Sequence, residues 1–413
     1  LELDKIYLSY KPLTRLLVDF KILWLTIIEI FSSKGIYDRK VWIYFILKKE
    51  LKDLIRISEF DNDSYYIIDL ENLADDLQLF KDAFCDLDYV ISYSYKTNYL
   101  KSIIQYLDRN QIKSELVSPF EVDISKNYKI NPSSLIYNGP LKDKKSIAYV
   151  LEGNGMVHAD SLDDLMLIKD VVRNLKKLIN EPKIGLRLSI KDEKLISRFG
   201  IEYDKKIFKD ILNNLMEINL DFPYSLHFHY PSRNFQSFQY RINKIFEILK
   251  EIFNDYGKIP KYIDFGGGFP SKMPDSVLKT LKNNVYLPIN KYGEYICDAI
   301  NNANLPKFKL ILEPGTAIVA NSMLLVGNIK SITNKSNKSY LNTDLSRNLT
   351  GGMSNATNYP ITYISQLKRK EIKKKAIKKY LLAGYTCVEG DLMGNLELES
   401  KPQINDKIVL SNI

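Results

Sequence analysis

Cysteine and histidine are scarce in this chain of 413 residues, which contains three of each. The cysteines, Cys85, Cys297 and Cys387, are odd in number and lie far apart in the sequence. We therefore expect no disulfide framework. We expect the protein to lie in a reducing compartment, the cytoplasm. Two of the three histidines form one His-x-His pair, His227 and His229. We predict no metal site, because a metal ion needs a third ligand and supporting contacts.

Long apolar runs are also missing. The most apolar stretch, residues 16–31, contains Asp19, Lys21 and Glu29. Its uninterrupted core is far shorter than the ~20 residues that crossing a bilayer requires, so we predict an amphipathic helix there and no membrane partner. No secretory signal is visible, and the chain begins with Leu1 rather than Met, which indicates a fragment or a processed form.

Positive charge is concentrated in one segment. The formal net charge is +9, and residues 368–379 alone carry eight Lys or Arg against one Glu. This segment lacks interleaved aromatic residues and the rest of the chain is nearly neutral, so we predict an exposed connection and no nucleic-acid partner. The chain is 45% hydrophobic and 26% charged, which is globular composition and excludes disorder.

Short apolar runs alternate with helical patterns in the middle of the chain. Helical spacing marks residues 161–180, 204–219 and 236–256. Such alternation predicts parallel strands joined by helices, and the number of units fits a (β/α)₈ barrel. The predicted strands are residues 89–95, 114–119, 133–140, 146–153, 156–160, 183–190, 225–230, 262–268 and 309–315.

Three regions follow from these patterns. Residues 1–63 are predicted to form a helical extension of unknown role, and residues 64–320 the α/β barrel. Residues 321–413 are predicted to form a C-terminal all-β domain, which a strand at residues 65–70 can join. The strands of that domain are expected at residues 324–332, 340–345, 359–365, 378–387 and 406–413, with polar connections between them.

Function collects at the carboxyl ends of the strands of such a barrel. Lys96 follows the first of them, where burial would lower its pKa and favour the neutral amine that attacks an aldehyde. The alternative is an ordinary surface lysine. Gly266, Gly267 and Gly268 follow another strand and leave backbone N–H groups open to a phosphate, although a tight turn explains them equally well.

Four further residues carry candidate chemistry. His229 shares a strand face with His227, and Ser232 can donate a hydrogen bond to a phosphate. Glu313 follows a strand, and a buried carboxylate there needs a partner such as a protonated ring nitrogen. Cys387 is either a small buried apolar residue or a proton donor.

Ten ordered segments resemble one known family. They are YSYKTNY, VSPFE, IYNGP, DSLDDL, GLRLSI, RFGI, LHFHYPS, IDFGGGFP, ILEPGTAIVAN and CVEGD, spread over roughly residues 64–413. In this order they resemble the fold-type III pyridoxal-phosphate decarboxylases, the family of the diaminopimelate and ornithine decarboxylases. The resemblance implies an alanine-racemase-like barrel, a C-terminal β-domain and pyridoxal 5'-phosphate as cofactor.

The resemblance also implies roles for individual residues. Lys96 matches the lysine that holds the cofactor covalently, and His229 the histidine stacked on the cofactor ring. Ser232 and Gly266–Gly268 match the phosphate-binding positions, and Glu313 matches the carboxylate that pairs with the pyridine nitrogen. The implied reaction decarboxylates an amino acid through an external aldimine and a quinonoid carbanion.

Three more positions match the family. Cys387 matches the cysteine that a partner subunit inserts into the active site, where it would protonate the carbanion. A homodimer with shared active sites is therefore expected. Arg187 and Glu121 match positions near the cofactor without a defined role.

The chain departs from the family in the substrate pocket. Thr316 stands where the family has an arginine, and threonine cannot replace a bidentate guanidinium. Val388 stands where an acidic residue is usual, with Glu389 one place later, and Asp344 lies roughly where ornithine enzymes have a substrate-contacting aspartate. These four are the predicted substrate-binding positions, and they do not indicate which amino acid binds.

The C-terminus departs as well, because the family continues into a Gly-Ala-Tyr segment after the strand at residues 406–413. This indicates truncation or an impaired protein. Two alternatives to a decarboxylase therefore stay open, namely an amino-acid racemase of the same fold type and a catalytically impaired cofactor-binding or scaffold protein.

Overall fold

The computed structural model describes residues 43–45, 63–175, 181–230, 234–272, 287–350, 359–365 and 377–413. The described residues between 75 and 320 form one compact unit, the barrel unit, and the others form a second, the β unit. Within the described residues, no helix is both long enough and apolar enough to cross a bilayer.

The first described elements are two parallel strands, β1 (Ile43–Phe45) and β2 (Tyr65–Ile68), and the helix α1 (Leu70–Ala83). Most of the predicted helical extension, including the amphipathic helix at residues 16–31, lies outside the described residues. Where the structure does describe it, at β1, the prediction of helix is wrong. The sequence Ile-Tyr-Phe is β-branched and aromatic, which suits a strand.

The barrel consists of eight parallel strands, and pairing of the last strand with the first closes it. The strands are β3 (Tyr89–Ser94), β4 (Lys113–Leu116), β5 (Leu135–Tyr137), β6 (Met156–Ala159), β7 (Lys183–Ser189), β9 (Ser225–His227), β10 (Tyr262–Asp264) and β11 (Lys309–Leu312), and a two-residue strand, β8 (Ile201–Glu202), pairs with β7. The predicted barrel is confirmed.

Helices connect these strands. They are α2 (Lys101–Arg109), α3 (Pro119–Asn127), α4 (Lys144–Glu152), α5 (Leu162–Asn174), α6 (Lys205–Met216), α7 (Phe235–Tyr256), α8 (Ile289–Asn301) and α9 (Thr316–Val319). The long helix α7 shows how the sequence defines such an element. The Asn234 side chain caps its first turn by accepting hydrogen bonds from the N–H groups of residues 236 and 237, and Gly257 ends it at a φ of +68°.

The strand predicted at residues 146–153 is wrong, because residues 146–152 belong to α4 and Gly153 caps it. Asp143 and Ser146 form a capping box, in which each side chain bonds the backbone of the other. Ile147, Val150 and Leu151 are buried at the i, i+3, i+4 spacing of one helix face. The β-branched residues that suggested a strand are therefore the apolar face of a helix.

The β unit contains the C-terminal strands β12 (Met323–Lys335), β13 (Lys338–Thr343), β14 (Ile361–Ile364), β15 (Lys378–Ala383), β16 (Leu392–Leu398) and β17 (Lys407–Ser411). They form a mainly antiparallel sheet in the order β1-β2-β12-β13-β15-β16, with β17 beside β12 and β14 beside β17. The predicted all-β region is confirmed, although β16 was missed. Of the basic segment, the structure describes only residues 377–379, the last two of which begin β15.

Candidate active site

The carboxyl ends of the barrel strands bring polar side chains together from distant parts of the sequence. Lys96 lies two residues after β3, and Glu115 lies on the neighbouring strand β4. The Lys96 Nζ donates to both Glu115 oxygens, at 3.3 Å and 3.0 Å, and the Glu115 side chain is 1% exposed. The lysine of the predicted site is therefore anchored by a buried carboxylate.

This contact overturns the expectation for the Lys96 pKa. Burial lowers the pKa of Lys96, but the nearby charges of Glu115 and Glu313 and the hydrogen bond to Glu115 more than compensate, so the pKa is raised. Lys96 is therefore protonated at neutral pH. It must lose a proton before it can bond an aldehyde, and the contact with Glu115 opposes that loss.

Asn138, which follows β5, forms side-chain hydrogen bonds with three residues from other strands of the barrel. Its Nδ2 donates to Glu313 Oε1 at 2.6 Å and to Glu115 Oε1 at 3.3 Å. Its Oδ1 lies 2.6 Å from the Nδ1 of His158 on β6. Asn138 thus fixes the relative positions of the two carboxylates, both of which stabilise the charge of Lys96.

Glu313 follows β11 and is 2% exposed, and Asp264 at the end of β10 is fully buried. The two residues follow each other across the neighbouring strands β10 and β11, and their carboxyl groups interact electrostatically. Burial raises the pKa of both, and the charge of Glu313 raises the pKa of Asp264 further, to well above its ordinary value. The site therefore contains a carboxyl pair in addition to the Glu115 carboxylate.

The histidines on this face of the barrel are neutral at neutral pH, because burial lowers their pKa well below the ordinary value. The Gly267 N–H donates to Nδ1 of His229 at 3.0 Å, which leaves the ring proton on Nε2. Ligating atoms of His227, His229 and Glu313 lie within 4.8 Å of one another. This tautomer gives His229 no free lone pair for a metal ion, and the absence of a metal stays a prediction.

The glycine segment after β10 approaches His229 more closely than any other residue type allows. Gly266 has a φ of +64° and Gly268 a φ of +89°. A Cβ on Gly266 would lie 2.7 Å from the His229 Nδ1. The fully buried Arg241 on α7 donates to the Gly267 carbonyl at 3.2 Å, so this conformation is held from the helix side.

Two further family positions have defined contacts. Arg187 on β7 donates to the Asp160 carboxylate at 2.9 Å, and its guanidinium lies 4.6 Å from the Phe199 ring centroid. Glu121 accepts from the Val117 N–H at 2.7 Å, and burial raises its pKa to about 7. The structure therefore gives both residues positioning contacts in the barrel unit.

The predicted substrate positions are placed differently. Thr316 is the first residue of α9. The Asp344 carboxylate in the β unit is engaged, because it accepts from the Asn328 N–H at 2.7 Å and from the Asn328 amide at 2.8 Å. Val388 and Glu389 are exposed in a loop of the β unit. Ser232 lies outside the described residues.

Cys387 lies in the same loop, residues 384–391 between β15 and β16, and is exposed. The buried Asp391 organises this loop. One of its oxygens accepts from the Thr386 N–H at 3.2 Å and hydroxyl at 2.6 Å, and the other from the Arg347 N–H at 2.9 Å and the Ser346 hydroxyl at 3.2 Å. Asp391 therefore holds Thr386, the residue directly before Cys387, through both its backbone N–H and its hydroxyl.

Sequence reasoning missed four residues of this arrangement, namely Glu115, Asn138, Asp264 and Arg241. The first three interrupt or end apolar strands, and this polar break is the signal that could have found them. Arg241 gives no such signal, because its burial and its hydrogen bonds to the Tyr230 and Gly267 carbonyls depend on the tertiary structure.

The barrel site fits pyridoxal phosphate on its own geometry. The Lys96 amine is positioned by the buried Glu115, and a second buried carboxylate, Glu313, is available for a ring nitrogen. Gly266 and Gly267 beside His229 leave space that a Cβ at either position would fill. These residues therefore include a suitable partner for the aldehyde, the basic ring nitrogen and the phosphate of pyridoxal phosphate.

Comparisons with known proteins agree with this geometry. Residues 70–320 match the family model described as "Pyridoxal-dependent decarboxylase, pyridoxal binding domain". The chain is 22% identical to the diaminopimelate decarboxylase of Methanocaldococcus jannaschii over 381 residues, 87% of this chain and 83% of that protein.

Solved structures show the same fold. The crystal structure of the diaminopimelate decarboxylase from the same organism has a TM-score of 0.73 at 19% identity and covers 87% of this chain and 83% of that one. The lysine/ornithine decarboxylase of Vibrio vulnificus complexed with cadaverine has a TM-score of 0.70 at 19% identity, with 89% and 93% covered.

The family match spans well over half of the chain, confirms the resemblance noted in the sequence and identifies pyridoxal phosphate as the cofactor. The chain belongs to the fold-type III pyridoxal-dependent decarboxylases, the diaminopimelate and ornithine decarboxylase family of amino-acid decarboxylases.

Proposed function

We propose that this protein decarboxylates an α-amino acid at the mouth of the barrel, with Lys96 as the covalent anchor of the cofactor. The observation that carries this proposal is the contact of the Lys96 amine with the buried Glu115, within range of the charge of Glu313. The Lys96 side chain is 45% exposed, but, unlike that of an ordinary surface lysine, its amine is paired with a carboxylate that is 1% exposed.

When bound, pyridoxal phosphate supplies an aldehyde and a ring that accepts the electrons of the bond being broken. Glu313 would hold the ring nitrogen in its protonated form, because this carboxylate is buried and carries negative charge opposite it. The neutral His229 would face the ring. The N–H groups of Gly266–Gly268, together with Ser232, would hold the phosphate.

Positioning and proton transfer are assigned to two residues. Glu115 orients the Lys96 amine, which it contacts at 3.0 Å. Cys387 from a second copy of the chain protonates the carbon that has lost carbon dioxide. This role requires a homodimer and favours a decarboxylase over a racemase, which would need a second base instead.

The substrate pocket departs from that of the diaminopimelate enzymes. At Thr316 no guanidinium is available to bind a distal substrate carboxylate. We therefore propose an amino-acid substrate without such a carboxylate, contacted by Thr316 from the barrel and by Val388 and Glu389 from the partner subunit.

The test uses Lys96→Ala, with Lys145→Ala as a matched control on the exposed face of α4. After addition of pyridoxal phosphate, wild type and control should develop a visible absorbance band, and borohydride should fix the cofactor to Lys96 in peptide mapping. Lys96→Ala should fold, judged by circular dichroism, but lose carbon dioxide release by roughly 10³-fold or more.

Substrate identity is tested with a panel of L- and D-amino acids that have cationic, zwitterionic and apolar side chains. Carbon dioxide release is expected from at least one L-amino acid. Loss of optical activity without carbon dioxide release would indicate a racemase. Normal turnover by Lys96→Ala would refute the assignment of the anchor.

A further inference from the structure

Asp264 is a buried acid beside Glu313, the carboxylate proposed to pair with the cofactor ring. It ends β10, and Glu313 follows the neighbouring parallel strand β11. One Asp264 oxygen accepts from the Gly266 N–H at 2.8 Å, which fixes the side chain. The Glu313 N–H donates to the Gly266 carbonyl at 3.0 Å, so the two strand ends are also joined through their backbones.

The second oxygen of Asp264 is orphaned. It is buried and has no hydrogen-bond donor among the described residues, while the carboxyl group of Glu313 is its neighbour. Glu313 has a donor of its own, because Asn138 Nδ2 donates to one of its oxygens at 2.6 Å, whereas His227 Nε2 lies 3.4 Å from the other oxygen without a hydrogen bond. When both carboxyl groups are ionised neither can donate, and a proton on Asp264 would let the orphaned oxygen donate a hydrogen bond to Glu313.

Electrostatic interactions favour one proton on the pair of Asp264 and Glu313 and determine which of the two carboxyl groups carries it. Two carboxylates about 4 Å apart repel by roughly 4 kcal/mol at an effective dielectric constant near 20, and burial penalises each charge further. Lys96 and Arg187 stabilise the ionised form of Glu313, whereas Glu115 and Glu313 both destabilise the ionised form of Asp264. The proton therefore belongs on Asp264.

We propose that Asp264 stays protonated at neutral pH and donates its proton in a hydrogen bond to Glu313, which makes it a positioning residue for that carboxylate. The pair then carries one negative charge instead of two. Glu313 is held by donors from Asp264 and Asn138, so its charge is oriented before any ligand arrives. The benefit for catalysis rests on the proposed role of Glu313, but the proton itself does not.

The first test is infrared spectroscopy of the protein without cofactor. The difference spectrum between wild type and Asp264→Asn should contain the carbonyl stretch of a protonated carboxyl group at pH 7 and at pH 8. The matched control is Asp160→Asn, whose carboxylate is paired with Arg187 and should contribute no such band. Absence of the band from the Asp264→Asn difference spectrum would overturn the proposal.

The second test compares Asp264→Asn with Asp264→Leu. Asparagine keeps an acceptor for the Gly266 N–H and a donor for Glu313, whereas leucine keeps the volume and removes both. Cofactor affinity should be nearly that of wild type in the asparagine variant and roughly tenfold weaker in the leucine variant. Equal affinity of both variants would refute the positioning role.

The two outcomes separate this inference from the proposed function. If Glu313 does not hold the cofactor ring, Asp264→Leu will not change the absorbance of the bound cofactor, yet the infrared band will still be present. If leucine prevents folding, the infrared comparison of wild type with Asp264→Asn still decides the protonation state.

Discussion

Replacement of Asp391 by asparagine should destabilise the 384–391 loop that carries Cys387. The wild-type carboxylate accepts four hydrogen bonds, two on each oxygen. An asparagine amide has only one acceptor oxygen, so two of the four donors lose their partner. Hydrogen bonds to charged groups contribute roughly 1.5–3 kcal/mol each, and relief from burying a charge offsets part of the loss. We expect a net cost of about 2–4 kcal/mol at pH 7.

The pH dependence of this effect has a defined sign. Burial raises the pKa of Asp391, but the hydrogen bonds from Thr386, Arg347 and Ser346 outweigh burial, so the folded-state pKa is lowered. A lowered carboxyl pKa stabilises the folded state above the unfolded value of about 3.9 and loses that contribution as the pH falls. The difference between wild type and variant should therefore be largest near neutral pH and shrink below about pH 4.

Hydrogen exchange and urea unfolding measure this difference. Peptides that cover residues 345–350 and 384–391 should exchange faster in Asp391→Asn at pH 7, because the Arg347 and Thr386 N–H groups lose their acceptor. Glu389→Gln is the control, since it removes an exposed charge from the same loop and should change stability by less than about 0.5 kcal/mol. Unchanged exchange in Asp391→Asn would show that the carboxylate does not hold the loop.

Two further predictions concern the barrel site. Glu115→Gln removes the charge that raises the pKa of Lys96, so the pH at which Lys96 reacts with pyridoxal phosphate should shift downward, as measured by absorbance between pH 6 and pH 10; an upward shift would contradict the ion pair. Gly266→Ala places a Cβ against His229 at a φ of +64° and should weaken cofactor binding by roughly 5- to 30-fold, since a left-handed conformation costs about 1–2 kcal/mol for other residues; unchanged affinity in a cofactor titration would contradict this geometry.

Local pattern in the sequence determined much of the architecture. Alternation of strand and helix predicted the barrel, and the polar connections after residue 320 predicted the β unit. The same reasoning failed at α4, because Ile147 and Val150 suit either element until the capping box of Asp143 and Ser146 is taken into account. It also missed β16, whose alternation is interrupted at Gly394.

The candidate site was only partly readable in the sequence. Lys96 and Glu313 could be selected because each follows an apolar strand. Their environment could not, since the Lys96 contact with Glu115 spans 19 residues and the Asn138 contact with Glu313 spans 175. The Lys96 pKa shows the consequence, because burial alone predicted a decrease and the neighbouring carboxylates produce an increase.

Short-range order in this protein is thus a property of the sequence, because spacing and caps act over a few residues. The electrostatics of the site is a property of the closed barrel. Which charges meet at the strand ends depends on strand order and register, and closure of β11 onto β3 brings the charge of Glu313 within electrostatic range of Lys96. Only the tertiary structure decides that, because Coulomb interactions depend on distance in space and not on separation along the chain.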